Sequence, residues 1–208
     1  AAPASSADPT KKPDEKQVMR TFTLGLGASG YMQFRSNYLS DTSGDFYASV
    51  FASTAKLSQG SDAEIVSAIG WRPEAAGYKF DLSVVNRDLP GTRAGVDANY
   101  WEYQADASRK LGPVNTRLRV NYTPDGFAGT KEAWWNEVTG TISLAAKTKA
   151  SASYGLRRAD GGADYDAWNV GVKHKLTDPL AIDLRWYDTD SHELGETYDG
   201  RFVAAATY

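Results

Sequence analysis

Apolar and polar residues alternate along most of this chain. In Leu180-Ala-Ile-Asp-Leu-Arg-Trp186, the residues Leu180, Ile182, Leu184 and Trp186 share one phase, and Ala181, Asp183 and Arg185 share the other. Tyr78, Phe80, Leu82 and Val84 alternate in the same way with Lys79, Asp81 and Ser83, as do Thr116, Leu118, Val120 and Tyr122 with Arg117, Arg119 and Asn121. A period of two puts the two sets on opposite faces of a β-strand. Wound into a helix, the same residues would be spread around its whole surface. Runs of this kind predict about twelve strands, near 20–28, 31–39, 45–55, 63–72, 77–88, 99–111, 114–124, 132–144, 149–158, 164–176, 180–190 and 200–208. Turn signals separate them at Thr42-Ser-Gly44, Pro73-Glu-Ala-Ala-Gly77, Gly112-Pro113, Asp160-Gly-Gly162 and Thr177-Asp-Pro179. One run is ambiguous: Phe46, Ala48, Val50 and Ala52 alternate with Tyr47, Ser49, Phe51 and Ser53, so both phases carry bulky residues.

The predicted connections alternate between tight turns and longer polar, acidic loops such as Ser191–Asp199. That is the pattern of a closed antiparallel transmembrane β-barrel, with short periplasmic turns and longer extracellular loops. Twelve strands place both chain ends on the short-turn side. The aromatic residues fit this arrangement. Trp71, Tyr78 and Tyr208 fall in the apolar phase near the short-turn ends of their strands, and Trp101, Trp134, Trp168 and Trp186 near the long-loop ends. Between them the apolar phase is aliphatic, as at Ile69, Leu82, Val120, Val138 and Leu184. Amphipathic rings prefer the headgroup level, while hydrocarbon requires apolar contacts and a sheet with no free edge. The competing arrangement is a soluble barrel or sandwich, which would turn the apolar phase inward and need no clustering of aromatics at strand ends.

Composition sharpens this reading. The chain has 208 residues and no Cys, which excludes a disulfide scaffold, a thiol nucleophile and a zinc–thiolate site. Net charge is −3, so no global field draws nucleic acid. No apolar run is long enough for a spanning helix. Residues 1–17 hold three Pro with Ser, Lys and acidic residues and almost nothing bulky and apolar. They are expected to be a flexible periplasmic arm, with residues 18–208 forming the barrel. The arm's composition suits a plain tether, and equally a contact with peptidoglycan or an envelope protein. The start Ala1-Ala-Pro-Ala reads as the mature end left by signal-peptide cleavage, although a trimmed chain would begin the same way.

Several stretches carry a family resemblance. They are Gly44-Asp-Phe-Tyr-Ala-Ser-Val-Phe-Ala-Ser53, Asp62-Ala-Glu-Ile65, Tyr100-Trp-Glu-Tyr103, Tyr122-Thr-Pro-Asp125, Asp164-Tyr-Asp-Ala-Trp-Asn-Val-Gly171 and Trp186-Tyr-Asp-Thr-Asp190. In these the chain resembles the TorF-type porins of Gram-negative bacteria, over roughly residues 20–208. The resemblance is loose at Gly25-Leu-Gly-Ala-Ser29. It implies an outer-membrane barrel with a porin role and supplies no substrate. The phase of Phe202, Ala204, Ala206 and Tyr208 also resembles the C-terminal assembly signal of outer-membrane proteins, with Tyr in place of the more usual Phe.

The inward phase of such a barrel would be mainly basic. Arg117, Arg119, Arg157, Lys173, Lys175 and Arg185 are expected to line the pore, together with the acidic Asp183, Glu102 and Asp106. Charges lining a pore set ion preference, so the expectation is passive diffusion of small solutes with a preference for anions. If Gly112-Pro113 is a tight turn, Asp106 faces Arg119 and Ser108 faces Arg117, and such a pair staples strands rather than meeting solute. The alternative is a non-conducting structural or interaction barrel that binds a partner protein or envelope component. The expected surroundings are outer-membrane lipid and lipopolysaccharide, with no nucleic acid. No catalytic residue and no cofactor is expected. His174 and His192 are the two histidines, and neither sits in a catalytic motif, since His192-Glu193 lacks a second His four residues on. No metal ligand is assigned either, because the acidic loop 188–199 lacks the spacing of a calcium-binding loop.

Overall fold

The computed structural model describes residues 19–27, 32–40, 46–54 and 58–207. The arm and Tyr208 lie outside them. The described residues form one antiparallel sheet of thirteen strands: β1 (Met19–Gly27), β2 (Met32–Ser40), β3 (Phe46–Thr54), β4 (Ala63–Trp71), β5 (Glu74–Ala75), β6 (Tyr78–Asp88), β7 (Asn99–Leu111), β8 (Val114–Gly126), β9 (Lys131–Ala145), β10 (Thr148–Ala159), β11 (Tyr165–Lys175), β12 (Ala181–Thr189) and β13 (Arg201–Thr207). The alternating runs became strands because a pleated sheet satisfies every backbone group while sorting side chains to two faces. The helical content of the described residues is four short 3-10 turns, at Ser58–Gly60, Phe127–Gly129, His192–Leu194 and Glu196–Tyr198. The segment read as the turn Pro73–Gly77 contains the two-residue β5, which hairpins onto β6 through Ala76 and Gly77, both at positive φ.

Each strand pairs with its sequence neighbour, apart from the β4–β5 step, and two further pairings link the ends. One is β1 with β13, where Gly25 faces Ala205. The other is β4 with β6, where Ile69 faces Val84. Each of the twelve long strands therefore has a hydrogen-bonded partner on both sides. The Gly112-Pro113 connection is a two-residue hairpin loop. Gly112 takes φ +57 at the first loop position and Pro113 follows, in the manner of a type II′ turn. That loop fixes the register, so Asp106 faces Arg119 and Ser108 faces Arg117.

Many of the large hydrophobic residues are exposed. Val85 and Leu89 are the buried hydrophobic residues among those described. Ile69 is 70% exposed, Leu118 and Val138 are 52% exposed, and Trp101 is 52% exposed. A water-soluble domain of this length would bury most of such residues. The ambiguous strand is resolved by register. Val50 is exposed on the apolar face, and Phe51 lies opposite Val66, in the other phase. Trp71, Tyr78, Trp134, Trp168 and Trp186 are exposed on the apolar face, with Trp71 and Tyr78 near the short-turn end and Trp134 and Trp168 near the long-loop end. Phe46 stacks on Trp71, and Tyr122 packs 4.5 Å from Trp134.

Candidate functional site

The other face of the sheet is polar, and its central rows form a belt of paired charges. Arg119 grips Asp106 with two hydrogen bonds of 2.7 and 2.6 Å. Arg117, on the same strand, lies 2.6 Å from Glu137. Thr139 bonds Glu137 in turn and also Ser153 on β10. On the far side of β11, Arg185 reaches Ser151 and Asn169 and lies 3.4 Å from Asp183. At the other end of the belt, Arg72 holds Asp81 at 2.8 Å and Tyr47 donates to the same carboxylate at 2.7 Å. Nearer the long loops, Arg87 lies between Glu64 and Glu102. Two of these contacts, Tyr47 to Asp81 and Arg185 to Ser151, skip an intervening strand, which side chains manage on the inward-curving face of a sheet.

Of the nine residues expected to line a pore, Arg117, Arg119, Arg185, Asp183, Glu102 and Asp106 belong to these pairs. Together with Arg72 and Arg87 on one side and Asp81, Glu64 and Glu137 on the other, they bring five arginines against six carboxylates. Among the described residues the belt therefore carries no basic surplus. The three remaining residues are elsewhere. Lys175 pairs at 2.8 Å with the fully exposed Asp178 in the turn. Lys173 is exposed at the short-turn end of β11, and no ion pair holds it among the described residues. Arg157 stands at the long-loop end of β10, and its guanidinium donates at 2.5 Å to the carbonyl of Ala163.

The register adds a residue that pattern reading missed. Lys149 faces Lys173 directly across β10 and β11. Like charges placed opposite one another in a sheet destabilise it. Lys110, on the same face near the end of β7, is also exposed. The short-turn rim thus gathers Lys110, Lys149 and Lys173. Lys149 was missed because it is the second residue of its strand, near an end where phase is hardest to read. The signal was present in Lys149-Ala-Ser-Ala-Ser153, whose small residues alternate with the Ser positions of the polar face.

Large side chains on the polar face lie down against glycines. A Cβ on Gly155 would come within 2.2 Å of the Trp135 ring, and one on Gly70 within 2.3 Å of the Tyr47 ring. Gly171 gives the same room to Arg185. These pairs keep bulky groups close to the wall instead of projecting from it.

The histidines have structural partners. His192 Nε2 lies 2.8 Å from Asp188, and Ser191 donates to Asp190 rather than to His192. The bond to Asp188 raises the His192 pKa, against an opposing desolvation. His174 bonds Thr148 on the apolar face. Among the described residues no three of His, Asp and Glu converge as a metal-binding group.

Solved structures share this architecture. The KdgM porin matches with a TM-score of 0.65 at 8% identity, over 91% of this chain and 97% of that one. The NanC porin matches with a TM-score of 0.68 at 7% identity, over 91% and 99%. At such identities the likeness concerns the fold alone. No curated protein matches the chain in sequence. A family model described as "Bacterial protein of unknown function (Gcw_chp)" matches residues 36–207, and this chain belongs to that Gcw_chp family.

Proposed function

We propose that this protein is a closed, twelve-stranded barrel of the bacterial outer membrane that passes small solutes by diffusion, with a preference for anions. The observation that carries the reading is the reversal of the usual burial pattern. Its large apolar residues are exposed in one phase, and its charges occupy the opposite phase. Only a lipid surround rewards that arrangement, because hydrocarbon hides the apolar face and leaves a wet interior. The circuit of pairings through β1–β13 and β4–β6 supports closure, which removes the free edges that a bilayer would punish. The fold shared with the KdgM and NanC porins and the resemblance to the TorF-type porins support the same reading.

Twelve strands lie between the eight whose side chains fill a barrel and the sixteen or more that leave a wide channel. The glycine-backed side chains favour an open bore. Anion preference would come from Lys110, Lys149 and Lys173 at the rim and from Arg157 at the opposite end, because the belt between them is balanced. Single-channel recording of the refolded protein in planar bilayers tests this. Discrete conductance with a reversal potential on the anion side is expected. Absence of conductance overturns the channel, and cation preference overturns the selectivity.

A further inference from the structure

At the long-loop end of the polar face, three adjacent strands place Trp135, Arg157 and Tyr165 in one row. Arg157 faces Trp135 on one side and Tyr165 on the other. The two rings lie 6.3 Å apart, and the Arg157 guanidinium is 5.6 Å from the Tyr165 ring centre. The loop before β13 brings in a fourth member. Tyr198 meets Tyr165 edge-on at 5.2 Å, with its backbone carbonyl held by Thr189. Arg72, Arg87, Arg117, Arg119 and Arg185 each contact a carboxylate. Arg157 contacts none among the described residues, only a backbone carbonyl and a ring. The hydroxyls of Tyr165 and Tyr198 make no hydrogen bond among the described residues either. Trp135 rests one side of its ring over Gly155, so its other side is turned away from the wall.

We propose that this cluster is a binding subsite for ring-bearing carboxylates, which rests on the channel reading above. The guanidinium takes the carboxylate through charge-assisted hydrogen bonds. Trp135 and Tyr165 take the flat face of the ring, and the two phenols supply further hydrogen bonds. A half-buried cation with no counter-charge among the described residues, framed by rings, is suited to that ligand. A paired arginine would have to give up a carboxylate first. The ring is an aromatic one or the pyranose of a sugar acid, and the two share the chemistry named here.

The test uses the full chain refolded in detergent. Benzoate, glucuronate, acetate and glucose are titrated by calorimetry, with channel block in planar bilayers as a second readout. Benzoate or glucuronate is expected to bind at least about tenfold more tightly than acetate or glucose, and the stronger of the two identifies the ring. Arg157→Gln should weaken that binding about tenfold, with Arg157→Lys retaining part of it. Tyr198→Ala, on a loop outside the sheet, should weaken ring-bearing acids without changing acetate. Equal binding of acetate and the ring acids, or indifference to Arg157→Gln and Tyr198→Ala, overturns the subsite. A protein that binds but does not conduct refutes the channel and leaves the subsite standing. One that conducts without ring-acid binding does the reverse.

Discussion

Asp81 and Asp106 face each other directly across β6 and β7, and each is clamped by its own arginine. Arg72 holds the first from the short-turn side, and Arg119 holds the second from β8. Two opposed carboxylates repel, so the arginines are required by the register itself. Replacing Arg119 with Met should cost about 2–4 kcal/mol of unfolding free energy, because it leaves a mostly buried carboxylate facing another. Urea titration in lipid vesicles reads this loss, and adding Asp106→Leu should recover much of it.

The rim lysines make a separable prediction. Lys149→Glu with Lys173→Glu should move the reversal potential toward cations while leaving stability within about 1 kcal/mol, since both residues are exposed and face each other. Arg119→Lys, inside the balanced belt, should leave selectivity nearly unchanged.

The six tryptophans divide five to one. Trp71, Trp101, Trp134, Trp168 and Trp186 lie on the apolar face, and Trp135 lies on the polar one. In single-Trp variants, brominated lipid should quench the five and spare Trp135, while aqueous iodide should reach Trp135. Quenching of Trp135 by lipid would contradict the assignment of faces.

Gly155 sets the position of a ring. Gly155→Leu forces Trp135 off the wall, since even a Cβ would stand 2.2 Å from it. The expected outcome is a lower single-channel conductance with unchanged ion preference, and a stability loss of about 1–3 kcal/mol from overpacking.

His192 gives the loop before β13 a dependence on pH. Its pKa is raised by the hydrogen bond to Asp188, so the charged form is favoured in the folded loop. The stabilisation is fully present below the ordinary histidine value, about 6.5, and is lost as pH rises through the raised value. Proteolysis of loop 190–200 should accelerate as pH goes from 6 to 9, and His192→Gln should abolish that change.

Much of this architecture was legible because period two is a direct readout of faces. The strand at Tyr78–Asp88 and the pairing of Asp106 with Arg119 both follow from the sequence, the second because a two-residue loop leaves one register only. The partners of Arg185 and Tyr47 were not legible. Each lies on a strand beyond the immediate neighbour, and no local pattern encodes that reach. The inner Trp135 was implied once Trp134 faced outward, but Tyr198 was not. Its loop has no period, so nothing short of a folded backbone could set it beside Tyr165.

The scarcity of buried apolar residues has a consequence for how the molecule comes into being. With Val85 and Leu89 alone enclosed among the described residues, the chain has nothing to collapse around in water. Collapse in solution would gather Ile69, Leu82, Leu118 and Val138 inward, and that is the reverse of the native sheet. On the outer-membrane reading proposed above, assembly begins from a chain kept extended and shielded, and it is completed where a second solvent takes over the work that a protein interior ordinarily does.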